Sequence, residues 1–225
     1  MTISQPPARR LRPIDLHDAS QYELICELDM RNPMDFFGRY MLKLNLGSLA
    51  FYIFAVVTAG MFIAELTNPS YSAGSSAIQI ILALIGSVVI VPVHEGIHAV
   101  TYKAIGAPAV RFVAEWRKGL IYTIADRFVV NQREYLRLAL TPLIAISVVL
   151  GGLYFLIPER DLLIAGLLCF HTLSCIGDIA IVNFLWTRRD HVIFSYDDLK
   201  LHKSYFYAQR ASATAETPNA PANQR

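Results

Sequence analysis

The sequence predicts a mainly α, polytopic membrane protein. It has four transmembrane helices, a cytoplasmic β-hairpin between helices two and three, and short interfacial helices at both ends. Three observations carry this. The 225 residues are 54% hydrophobic and only 17% charged, with a mean hydropathy of +0.40, whereas a soluble domain typically carries about 25% charged residues. The apolar residues gather in four long runs, and a helix needs about 20 mainly apolar residues to cross a hydrocarbon core of about 30 Å. Lys and Arg fall in alternate connections between those runs, the asymmetry that orients helices in a bilayer. Membrane lipid is therefore an expected partner. A net charge of +2 and a pI near 8.4 lack the basic footprint of nucleic-acid binding, so no nucleic acid is expected.

Residues 1–45 read as a cytoplasmic N-terminal region with short helices. Ser20 and Glu23 have capping-box spacing, which predicts a helix over 21–30. Asn32-Pro33 interrupts it, and the aromatic and basic residues from Asp35 to Leu44 suit an interfacial lead-in helix. The four spans follow at 46–66, 77–102, 137–157 and 162–187, and together make a membrane domain over 46–187. The first span starts too far from Met1 to be a secretory signal peptide. No charged residue occurs between Leu44 and Ala64, Leu66 and Val93, or Leu138 and Pro158; between Leu162 and Thr187 the only charge is Asp178.

Arg31, Arg39 and Lys43 precede span one, and the connection to span two has no basic residue. Arg111, Arg117, Lys118, Arg127 and Arg133 follow span two, Arg160 alone separates spans three and four, and Arg188-Arg189 come last. Both termini and the 103–136 connection are thus expected on the cytoplasmic side. Within that connection, VRFVAEW and LIYTIAD flank Arg117-Lys118-Gly119, two β-rich runs around a turn. Asp197, Asp198, Tyr205, Phe206 and Tyr207 suggest a cytoplasmic surface helix within 188–208. The small, polar, proline-containing stretch 209–225 suggests a disordered tail. Arg9-Arg10 reads as a solvated end. Cys26, Cys169 and Cys175 form no CxxC pair and read as small buried hydrophobes, not as a disulfide framework.

Span two closes in VPVHEGIHAVTYKAIG. His94-Glu95-Gly96-Ile97-His98 is an HExxH motif. On a helix, residues four apart stand one turn apart on one side, so both imidazoles can bind one Zn2+. Glu95 can then take a proton from a zinc-bound water, whose pKa falls to about 7. Three ionisable residues inside a membrane span mark a functional site by default. Gly96 lowers helix propensity and suggests a close approach of backbone or substrate.

A catalytic zinc usually has three protein ligands, so one more is needed. With span centres at Val89 and Ser174, His94 and Asp178 lie about 7 and about 6 Å cytoplasmic of the midplane, at 1.5 Å rise per residue. The depth favours Asp178 as third ligand. His171 is the alternative ligand or a substrate-orienting group. It stands about 10 Å from Asp178 along the axis, and a straight helix cannot bring both to one ion. Asn183 and Thr141 are polar groups of the interhelical kind. Pro92 and Pro142 sit inside spans, where freed carbonyls must find partners. His17, His191 and His202 read as surface residues.

These motifs resemble the membrane domain family of zincin peptidases with HExxH, related to the site-2 intramembrane metalloproteases. The resemblance rests on VPVHEGIHA at the end of a span, the β-rich connection, NQREYLRLALTPL leading into the next helix, and GDI in the last. It covers about 80–200. It implies a peptidase acting in or beside the bilayer of a bacterial plasma membrane, on a peptide or membrane-protein substrate. His94, His98 and Asp178 would be metal ligands and Glu95 the catalytic base. Here glycine precedes the aspartate, as Gly177-Asp178, where site-2 proteases typically read Asp-Gly. The residues also leave two other classes open. One is a non-catalytic adaptor or assembly factor with a structural or lost metal site; the other is a metal-dependent hydrolase of a lipid or another amide.

Overall fold

The computed structural model describes residues 10–115, 120–157 and 160–210. A 3-10 turn (Pro13–His17) leads into strand β1 (Tyr22–Asp29) and helix α1 (Met34–Met41). Helices α2 (Leu46–Leu66) and α3 (Ala73–Ala104) follow. Strands β2 (Arg111–Glu115), β3 (Leu120–Ile124) and β4 (Val130–Asn131) connect α3 to α4 (Gln132–Leu156). Helices α5 (Asp161–Ser174) and α6 (Ile176–Trp186) and strands β5 (Ile193–Asp198) and β6 (Lys203–Gln209) complete the described chain.

Helices α2, α3 and α4 fall on the first three apolar runs and are long and apolar enough to cross a membrane. Side-chain caps start them: Asn45 accepts from the Gly47 and Ser48 amides, and Asn131 from those of Arg133 and Glu134, satisfying donors that a helix N-terminus leaves free. Their outward faces stay apolar and exposed, with Ile53, Val56, Ile85, Val88, Val89 and Val148 each more than half accessible. Water would leave that surface unstable and lipid would not.

The fourth run is not one straight helix. It is α5 and α6, bent by 46° at Cys175. Thr172 and Ser174 turn their hydroxyls back onto the Leu168 and His171 carbonyls, a bonding pattern that bends helices, and the Ser174–Gly177 neighbourhood is a usual place for a sharp kink. Helix α5 is the centre of the bundle. A Cβ on Gly166 would stand 2.9 Å from the Ala83 Cβ, and one on Gly86 would stand 2.7 Å from Leu167 Cδ2. Both glycines therefore set how closely α3 and α5 approach.

The predicted hairpin is present, with Arg111 opposite Ile124 and Glu115 opposite Leu120; its turn residues Arg117-Lys118-Gly119 lie outside the described residues, as does 211–225. Two other expectations are corrected. Residues 22–29 are a strand, not a helix, because the Ser20 hydroxyl donates to Asp18 instead of capping a helix. The expected surface helix within 188–208 is the β5–β6 hairpin. Tyr205 and Tyr207 alternate with Ser204, Phe206 and Ala208, the period of a strand.

These strands form one antiparallel sheet in the order β1-β6-β5-β4. Phe206 packs with Phe36, Tyr40 and Phe184 of α1 and α6, while Tyr196 and Tyr207 pack with Leu16 on the other face. Elements that precede α2, follow α3 and follow α6 thus meet at one end of the helices. Arg10, expected to be solvated, is tied into this end. Its guanidinium pairs with Glu134 at 2.7 Å and donates to the Val129 and Ile105 carbonyls.

Candidate functional site

His94 and Glu95 are buried near the sheet end of α3, and His98 is half-buried one turn on. The two Nε2 atoms lie 3.1 Å apart. Asp178, in the first turn of α6, places Oδ2 3.1 Å from His94 Nε2 and Oδ1 3.4 Å from His98 Nε2. Bonds of about 2.0–2.2 Å to a tetrahedral ion set neighbouring donors roughly 3.2–3.6 Å apart. The spacing of these three atoms is close to that of such a shell.

The protonation pattern asks for a cation there. His98 Nδ1 lies 3.0 Å from the Leu138 carbonyl, which can only accept, so Nδ1 carries the proton of the neutral ring. Its Nε2 then presents a lone pair toward the Asp178 carboxylate. Two acceptors facing each other at 3.4 Å are unfavourable unless a proton or a metal lies between them.

Pro142 makes that hydrogen bond possible. Lacking an N–H, it leaves the carbonyl four residues earlier, that of Leu138, without its helical donor, and His98 supplies the replacement. This is the partner the buried proline required.

The bend at Cys175 changes how Asp178 and His171 relate. In a straight helix only one could reach the HExxH imidazoles. In the structure both reach His94, from opposite sides of its ring. Asp178 meets Nε2, while His171 Nε2 lies 3.4 Å from His94 Nδ1. Cys175 Sγ is also there, 3.7 Å from His171 Nε2 and 4.0 Å from His94 Nδ1. His171 therefore does not join Asp178 in one ligand set.

A cavity of about 280 Å³ opens onto these groups. Glu95 lines it, and its Oε2 is buried with no hydrogen-bond partner among the described residues. Such an unpaired oxygen is costly unless a ligand or water fills its valence. The Thr123 hydroxyl donates to the Glu95 backbone carbonyl at 2.9 Å, fixing β3 against α3 beside the motif. Asp197 lines the same cavity and accepts from Ser204 and Tyr102. Burial pushes its carboxyl up to about 6, against the lowering effect of those two donors.

Other expectations separate from the site. Asn183 joins α6 to the α1–α2 link, donating to the Tyr40 carbonyl and accepting from Asn45. Thr141 bonds within its own helix, to the Arg137 carbonyl. A Cβ on Gly96 would meet nothing within 4 Å, so no protein backbone crowds it. His202, expected at the surface, is largely buried between Tyr122 and Glu115. The sequence reading missed Cys175. Its signal was the His171–Cys175 spacing, the same i, i+4 step that unites His94 and His98.

The comparisons with known proteins bear on this arrangement. Residues 87–193 match the family model described as "Putative zincin peptidase". The zincin match spans just under half of the chain. It contains His94, Glu95, His98, His171, Cys175 and Asp178, and it leaves out α1, α2, β1 and β6. A zincin family implies zinc and peptidase-type chemistry, and the two imidazoles and carboxylate form a donor set that suits zinc. Neither the curated proteins nor the solved structures contain a match to the chain.

Proposed function

We propose that the protein is a membrane-embedded zinc metallopeptidase that hydrolyses peptide bonds in or beside the bilayer. Its termini and sheet lie on the cytoplasmic side, the plasma membrane of a bacterium being the setting the resemblance implies. The observation that carries this reading is the approach of Asp178, from a separate helix, to both HExxH imidazoles at 3.1 and 3.4 Å. His94, His98 and Asp178 would hold the metal. When bound, zinc supplies a Lewis acid that lowers the pKa of water to about 7.

The chain's own groups do the rest. Leu138 holds His98 in the tautomer whose Nε2 is free. Glu95, which lines the cavity, takes a proton from water and passes it to the leaving amine nitrogen. Ile121, Tyr122 and Thr123 of β3 line the cavity, and β3 pairs only with β2 among the described residues. Its other edge offers backbone N–H and C=O groups to an extended substrate by strand addition. This edge would set the peptide alongside Glu95, with the scissile carbonyl toward the metal ligands.

The test is a Glu95→Gln variant, purified in detergent and offered a peptide library. It should retain zinc and lose 10²- to 10⁴-fold in cleavage rate, the usual worth of a general base. Cleavage at the wild-type rate by a zinc-loaded variant would refute the base assignment. Hydrolysis of lipid or another amide in place of peptide would move the reading to that class. No turnover of any kind would move it to a non-catalytic membrane protein.

A further inference from the structure

Behind the site already described, His94 offers its second ring nitrogen to a different set of donors. His94 Nδ1, His171 Nε2 and Cys175 Sγ stand 3.4, 3.7 and 4.0 Å apart pairwise, and all three residues are buried. Bonds of about 2.0–2.1 Å to nitrogen and about 2.3 Å to sulfur put donors roughly 3.4–3.8 Å apart around one ion. Two sides of the triangle have those dimensions and the third, Cys175 Sγ to His94 Nδ1 at 4.0 Å, is slightly longer; the nitrogen pair at 3.4 Å is wide for a hydrogen bond. His171 Nδ1 is buried with no hydrogen-bond partner among the described residues. The ring is therefore oriented by what its Nε2 faces. His171 and Cys175 are one turn apart at the end of α5, and the close packing of Gly166 against Ala83 brings that turn onto α3.

We propose that His94, His171 and Cys175 form a second metal site, which takes a single monovalent copper ion in competition with the metal at His98 and Asp178. The inference rests on the reading above only in sharing His94. Two imidazoles and a thiolate are soft enough to suit Cu(I). Charge favours the monovalent ion as well. One thiolate and Cu(I) make a neutral complex, whereas a divalent ion would leave a net positive charge in a buried, low-dielectric place. Asp178 faces the other nitrogen of the His94 ring and does not enter this donor set.

Competition follows from the ring. Neutral imidazole has one N–H and one lone pair, so His94 can serve one metal at a time. Copper binding releases the Cys175 thiol proton to solvent and moves the His94 proton from Nδ1 to Nε2. The front site then loses one of its three donors.

The experiment uses the full chain in detergent, under anaerobic conditions, with Cu(I) buffered by a colorimetric chelator and Co2+ as an optical probe of the front site. One equivalent of Cu(I) should bind to wild type, weaken at least 100-fold in Cys175→Ser and in His171→Gln, and stay within twofold in Cys169→Ser. Cu(I) should also bleach the Co2+ band of wild type but not that of Cys175→Ser, whose retained band shows that the variant is folded. Equal Cu(I) affinity in wild type and Cys175→Ser would overturn the site. A Co2+ band that survives full copper loading would overturn the competition. If Asp178→Asn keeps the Co2+ band, the front-site reading fails, while the copper result stands separately.

Discussion

Inside the helical bundle glycines let helices approach closely, Gly166 against Ala83 and Gly86 against Leu167, and the outward faces are apolar. In the sheet both faces are covered, and the buried carboxylate is satisfied: Asp197 takes hydrogen bonds from Ser204 and Tyr102. The helices around His94 differ. There Glu95 Oε2 and His171 Nδ1 are buried without partners among the described residues. Asp197 at the sheet end has its partners, whereas Glu95 in the cavity wall leaves an oxygen for a ligand. That difference follows from cost, since an unpaired buried polar atom forfeits about 1–3 kcal/mol and persists where function needs it.

Substitutions that break or sharpen this contrast can be ranked. The largest effect belongs to Asp178→Asn. It should lower zinc affinity at least 100-fold, measured by competition with a zinc chelator, since it removes the only anionic donor of the three. Gly166→Val comes next. Its side chain meets Ala83 where even a Cβ stands at 2.9 Å, so it should destabilise the bundle by about 3 kcal/mol. A thermal shift in detergent would read that loss, and an unchanged midpoint would show that α3 and α5 do not pack as described.

Pro142→Ala acts more subtly. It restores an N–H to compete for the Leu138 carbonyl that now holds His98. Zinc affinity should fall about tenfold, while thermal stability holds or rises, because alanine repairs the helix. The smallest effect is at the sheet end. Asp197 has a folded pKa raised to about 6 by burial, above its unfolded value. The carboxyl therefore contributes stability that is full below about pH 4 and lost as pH rises through 6. Relative to Asp197→Asn, wild type should lose roughly 1–3 kcal/mol of stability between pH 4 and 7. A flat difference across that range would mean that Asp197 is solvated.

The bundle was legible because bilayer length and charge placement act on whole segments: α2 begins at Leu46 and ends at Leu66, the bounds expected for the first span. HExxH and Asp178 were legible because ionisable side chains stand out in apolar sequence. The sheet was not, because Ser20 and Glu23 satisfy a spacing rule, while the Ser20 hydroxyl is taken by a local hydrogen bond to Asp18. The Tyr205–Phe206–Tyr207 run, for its part, shows its sidedness only once both faces have partners. The bend at Cys175 was missed for a related reason. No proline marks it, and the hydroxyls of Thr172 and Ser174 act through backbone bonds that apolar periodicity does not register. Yet that bend lets Asp178 and His171 reach His94 together, on opposite nitrogens.

The central claim is that one zinc ion is held by His94, His98 and Asp178. X-ray absorption at the zinc edge, on the full chain carrying one equivalent of zinc, tests it most directly. The account predicts only nitrogen and oxygen neighbours, at about 2.0–2.2 Å. A sulfur neighbour at about 2.3 Å would put the zinc beside Cys175 instead and contradict it.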